Sequence, residues 1–106
     1  QSAAVIGRMA THTVVLRSMS LAITGILTRG ESPATEAALV KDLGTELEQA
    51  IPTLISDALA AAPDEDVPED LMKALVYVTQ MAPTFSLRGG TREILRGIIA
   101  RGLGLR

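Results

Sequence analysis

Cysteine and tryptophan are absent from the 106 residues, and histidine, tyrosine and phenylalanine occur once each. Without cysteine there is no disulfide and no thiolate metal site. His12 alone leaves no histidine pair for zinc, no Ser-His relay and no H-E-x-x-H site. Neither sign of charge dominates. The 10 basic and 12 acidic side chains leave a net charge of -2, which weighs against a general nucleic-acid binder. Arg17 and Arg29 bracket the longest apolar run, so no stretch reaches the roughly 18 residues of a membrane span, and no signal peptide is read at the start. The expectation is a cytoplasmic chain with neither nucleic acid nor membrane as a partner.

What is present is an apolar share of 47%, enough for one small domain over residues 1–106. A chain of this length buries roughly two thirds of its unfolded surface when it folds alone. Gln1 is not an initiator methionine and helical spacing is already present by residue 10, so the sequence reads as an excerpt of something longer.

Ile6, Met9, Thr13, Leu16, Ser20, Ile23 and Leu27 recur at 3-4 spacing and predict one long amphipathic helix. Arg29-Gly30 supplies its stop. Ser32-Pro33 reads as a cap followed by proline in the first turn. A second helix, to about Ala60, carries Val40, Leu43, Leu47, Ala50, Leu54 and Ala58 on one face, with a kink expected at Pro52. The stretch 62–68 holds two prolines and three consecutive acids and reads as a solvated loop. A third helix is expected from near Glu69 until Pro83, then a connector over 84–90. Thr91 is the expected N-cap of a last helix with Glu93 in its first turn, and Gly102 and Gly104 are expected to fray its end. No strand-like alternation is sustained. The fold class is therefore all-α, an antiparallel bundle of about four helices.

Nine carboxylates and no basic residue lie between Asp42 and Asp70. Lacking a D-x-D-x-D-G loop, they read as a wet helix surface rather than a cation site. His12 reads as a partly buried structural histidine, and Met9 and Met19 as core fillers. Arg88, Arg92, Arg96, Arg101 and Arg106 face the single acid Glu93 at the C-terminal end. Arg-Gly-Gly-Thr directly before a helix points to an anion site, since glycines let backbone N–H groups approach a ligand at a helix N-terminus. The alternative is that the arginines contact the acidic second helix or a neighbouring subunit.

The run Phe85 to Arg101, with Gly90-Thr91-Arg92-Glu93-Ile94 at its turn, resembles the end of the C-terminal domain of acyl-CoA dehydrogenases. Arg29-Gly30-Glu31 followed by Glu36-Ala37-Ala38-Leu39-Val40-Lys41 is similar to that family's helix end, glycine turn and E-A-A-x-x-K helix start. Met9 lies at the spacing from Gly30 expected of the family's helix. The resemblance spans nearly the whole chain and implies that the family bundle's first helix lies outside this sequence. It implies an FAD flavoprotein of lipid metabolism that oxidises an acyl-CoA thioester to the α,β-enoyl form. In such enzymes the α-proton goes to a carboxylate and the β-hydride to the flavin, whose electrons pass to an electron-transfer flavoprotein. Oligomers packed through the helical bundle, homomeric or heteromeric, are also implied.

Residue by residue, the resemblance puts Thr91 and Glu93 at FAD-contacting positions and Gly90 on the acyl-CoA side. Gly89 stands where many members carry the catalytic glutamate, and glycine takes no proton, so no catalytic residue is assigned within the chain. A glycine-rich loop that approaches a neighbouring subunit's FAD in many members corresponds here to Ala60 to Asp66, where three acids would repel a pyrophosphate. Two functions follow: part of an acyl-CoA dehydrogenase, in one form its non-catalytic subunit, or a helical oligomerisation and interaction module without activity.

Overall fold

The computed structural model describes residues 2–105 and is all-helical, with no strand among them. Four α-helices follow in order, α1 (Ser2–Thr28), α2 (Ala34–Ala60), α3 (Glu69–Met81) and α4 (Arg92–Gly102), with a 3-10 segment Ala82–Leu87 between the last two. The expected bundle is present. The predicted connector over 84–90 is largely this 3-10 segment, which has Pro83 in its first turn.

The helix α2 is the axle, touching every other element. Along its N-terminal half α4 runs antiparallel, tied by Arg92 to Asp42 near one end and touching Thr35 with Gly102 at the other. Along its C-terminal half α3 runs antiparallel, with Leu71, Leu75 and Val78 over Ile51, Pro52 and Ile55. Gln49 Nε2 donates to the Ala82 carbonyl at 3.0 Å and fixes the junction between the two. On a third side, α1 packs as the other arm of a hairpin closed at Arg29–Gly30, where Gly30 has the expected left-handed conformation (φ 77°).

Two local expectations are corrected and one is met. Helix α2 begins at Ala34, so Pro33 occupies the N-cap position itself and Ser32 gives no side-chain cap; Pro33 is instead buried, which holds the hairpin turn against the bundle. Helix α2 is continuous through Pro52, one element as expected. The end of α4 does not fray. Leu105 N–H donates to the Ala100 carbonyl at 2.8 Å and Gly104 N–H to that of Arg101 at 3.0 Å, with Gly104 at φ 82°, which is the Schellman closure.

The buried face of α2 is not its apolar one. Ala38, Asp42, Thr45 and Pro52 are buried at the 4-3 spacing of a packing seam, whereas Val40, Leu43, Leu47, Ala50, Leu54 and Ala58 stay half-buried. Small residues prevail because α4 comes close. A Cβ added to Gly102 would overlap Thr35, so Gly102→Ala is expected to push α4 off and cost about 1 to 2 kcal/mol. Urea unfolding checks this, with a lowered midpoint at unchanged slope as the expected result.

A second register is shifted on α1. Val5, Met9, Leu16, Met19, Ile23 and Ile26 are half-buried, while Ile6, Thr13, Ser20 and Leu27 of the predicted stripe are exposed. Apolar residues ring this helix on every side, so periodicity does not select a face. By length and composition alone it is apolar enough to cross a membrane, with a mean hydropathy of 1.2 over its most apolar 18 residues. The two-thirds burial expected of a self-sufficient domain is not reached: among the described residues the buried hydrophobic core is Ala38, Leu75, Ala82 and Leu95, each still 5 to 9% exposed.

Candidate functional site

The site singled out by sequence is the turn from Arg88 to Glu93. Gly89 (φ 67°) and Gly90 (φ 105°) both occupy backbone regions that side chains disfavour, and this double reversal swings the chain from the 3-10 segment into α4. Thr91 then caps α4 as predicted: its backbone is extended and its Oγ1 accepts from the Ile94 N–H at 3.4 Å. Glu93 lies in the first turn, exposed, where a carboxylate suits the helix dipole. With the Ile94 N–H taken by the cap and the Leu95 N–H by the Thr91 carbonyl, the Arg92 and Glu93 amides are the ones left to face an anion. Gly90 and Thr91 are half-buried and Gly89 is exposed.

Charge around the turn comes mostly from α2. Arg88 pairs with Glu48 and lies 4.9 Å from the Phe85 ring centroid. Arg92 Nε donates to Asp42 Oδ1 at 2.7 Å and its Nη2 to Glu46 Oε2 at 3.4 Å. Arg96 Nε stands 3.7 Å from Asp42 Oδ2. Arg92 is the best shielded of the three. Its hydrogen bond, helped by the charges of both arginines and opposed by desolvation, holds the Asp42 carboxyl below the usual carboxylate range. Three of the five C-terminal arginines therefore do what the second of the two readings expected, gripping the acidic second helix.

That grip changes what the turn offers chemically. Arg88 and Arg92 are neutralised, so their charge is not free for a phosphate. Lys41 is the exception: its Cε would lie 3.1 Å from a Cβ at Gly89, and among the described residues it makes no ion pair. Lys41, Asp42 and Glu48 went unnoticed as neighbours of the turn. The signal that finds them is the spacing, arginines at 88, 92 and 96 facing carboxylates at 42, 46 and 48 across two antiparallel helices.

No group of three or more His, Asp or Glu side chains among the described residues is arranged for a metal. His12 is exposed rather than partly buried, because the α1 face that bears it is uncovered. It lies on a groove of about 370 Å³ between α1 and α2, with Arg8, Val15 and Leu16 on one wall and Leu43, Glu46 and Leu47 on the other. The chain matches no protein-family model, and comparison with curated proteins and with solved structures finds none similar to it.

Proposed function

We propose that the chain is the C-terminal helical part of an FAD-dependent acyl-CoA dehydrogenase, in the form of a supporting subunit that packs beside a catalytic one. The observation that carries this reading is the turn Arg88 to Glu93. Two left-handed glycines, a capped helix N-terminus and Lys41 alongside make an edge suited to a small anionic group such as part of a dinucleotide. The fit is that of an edge and not of a whole cavity, since the α1–α2 groove lies elsewhere and Arg88 and Arg92 are already paired. A bound FAD would supply the hydride acceptor for oxidation of an acyl-CoA thioester, with an electron-transfer flavoprotein as the expected onward acceptor. This chain's own part is to hold the ligand edge through the Thr91 hydroxyl and the Glu93 backbone N–H, the Glu93 carboxylate turning to solvent, and to leave room for acyl-CoA at Gly90. Gly89 supplies no base.

The test is the visible absorption of the full gene product, purified alone and again after co-expression with a neighbouring dehydrogenase subunit. Colour only in the co-purified complex supports the supporting-subunit form; a flavin band from the protein alone supports a self-sufficient enzyme; no band in either case overturns the reading. Within a coloured complex, Thr91→Asp is expected to keep the helix cap yet lower FAD retention at least tenfold, because aspartate caps as well as threonine but repels phosphate. Unchanged retention would remove Thr91 from the site.

A second reading, a helical interaction module without chemistry, is favoured by one specific observation. The chain exposes 7383 Å², whereas a compact monomer of its 11.1 kDa mass exposes about 5,700 Å².

A further inference from the structure

The excess of about 1,700 Å² on one chain is about twice the roughly 800 Å² that each partner gives to a standard protein–protein interface. It is not spread evenly. No residue within Ala3–Thr28 is buried, and α1 packs substantially on α2 alone. Ile6, Val14, Val15, Leu21 and Leu27 are at least half exposed on it. The groove between α1 and α2 continues this surface, with Val15 and Leu16 facing Leu43, Leu47, Ala50 and Leu54. Two antiparallel helices with an open apolar seam are half of a four-helix bundle.

We propose that the seam is closed by the α1–α2 hairpin of a second copy of this chain, giving a two-fold symmetric four-helix bundle. Charge selects the arrangement. Helix α1 carries Arg8 and Arg17 and no carboxylate, whereas α2, with Asp42 and Glu48 taken up by the arginines beside α4, still offers Glu36, Asp57 and the groove residue Glu46 against Lys41 alone. Placing α1 beside α1 of the second copy sets like charges together, so each α1 lies beside the second copy's α2. With the two-fold axis parallel to the helices, every adjacent pair is then antiparallel, as helix dipoles prefer. The radius of gyration of 16.9 Å, against about 13 Å for a compact chain of this length, is that of a rod which a second rod completes.

A lipid bilayer is the competing cover for α1, and the neighbouring helix weighs against it. The acidic α2 lies along α1 and would have to enter with it, while Arg8 and Arg17 cost about 3 kcal/mol each at a bilayer centre. The outer face of α3, with Met72, Val76 and Tyr77, is a smaller exposed patch confined to one short helix.

This inference shares with the proposed function only the expectation of an assembly, and its test uses no flavin. Because the chain has no cysteine, single cysteines report contacts without background. Val15→Cys in the seam, treated with a short bismaleimide, is expected to give a covalent dimer in high yield, and Tyr77→Cys on the outer face of α3 is expected to give little. Sedimentation of the unlabelled chain should yield twice the 11.1 kDa mass, and Val15→Arg should return it to one chain with helical circular dichroism retained. A single-chain mass at the highest workable concentration, crosslinking through Tyr77→Cys instead of Val15→Cys, or co-flotation with phosphatidylcholine–phosphatidylglycerol vesicles would each overturn the proposal. A flavin result of either sign leaves these readouts unchanged.

Discussion

Replacing Asp42 with alanine is expected to loosen α4 from α2 and to cost about 2 to 3 kcal/mol, since hydrogen bonds to charged groups carry roughly that much and two arginines lose their partner at once. Asp42 is 7% exposed, so its carboxylate is held in place by Arg92 and Arg96 and reaches little water. For a domain of this size that loss lowers the melting temperature by on the order of 10 to 20 °C. Asp42→Asn keeps the shape and removes the charge, and is expected to lose most of the same stability. The pH dependence distinguishes this pair from simple packing. The folded-state pKa of Asp42 lies below its ordinary value, so the stability it contributes is complete at neutral pH and is lost as pH falls below about 4. Asp42→Asn abolishes that contribution at every pH. Its stability deficit relative to the natural chain should therefore be widest near neutrality and shrink on acidification, which urea titrations at pH 7 and pH 3 would measure. A deficit that stays constant across that range would mean that the ion pair contributes only packing.

The same residues explain how far the sequence could be read. Helix positions, the glycine stop at Gly30, the Thr91 cap and the acidic loop were legible because each is a local signal, set by residues within one or two turns of one another. The seams were not. Apolar periodicity on α2 selected Leu43, Leu47 and Leu54, yet α4 packs on Ala38, Asp42 and Thr45, because close approach needs small residues and the Arg92–Asp42 pair supplies the attraction. On α1 the apolar residues run all round, so the predicted stripe caught Met9, Leu16 and Ile23 but missed Val5, Met19 and Ile26, which are hidden among equivalents. The arginine cluster left two readings open, an anion site or a grip on the acidic second helix; only the antiparallel pairing of α2 with α4, which brings Arg88 to Glu48 across 40 residues of sequence, selects the second. Gly89 and Gly90 were visible as a turn, but the presence of Lys41 beside them is a tertiary fact.

Truncating Leu95 to alanine should have the largest effect of any single apolar substitution in α4, because so few apolar residues here are fully enclosed. Leu95 is 5% exposed, the most enclosed large side chain of that helix, and its Cδ2 lies 3.8 Å from where a Cβ on Gly90 would stand. It therefore joins the helix both to the bundle and to the glycine turn. Removing its terminal carbons forfeits transfer free energy and leaves a cavity, at a cost of about 3 kcal/mol. Leu103, on the same chain end and 68% exposed, is the matched control: its truncation is expected to change stability by less than about 0.5 kcal/mol. Equal losses at the two positions would mean that Leu103 is covered in solution by another chain. In the proposed dimer the contact surface is formed by α1 and α2, so Leu95→Ala should lower the unfolding midpoint while leaving the Val15→Cys crosslink yield intact under native conditions. Stability of the α2–α4 seam and closure of the α1–α2 seam are then separable properties, one set by an aspartate and a leucine within a chain, the other by apolar surface shared between two.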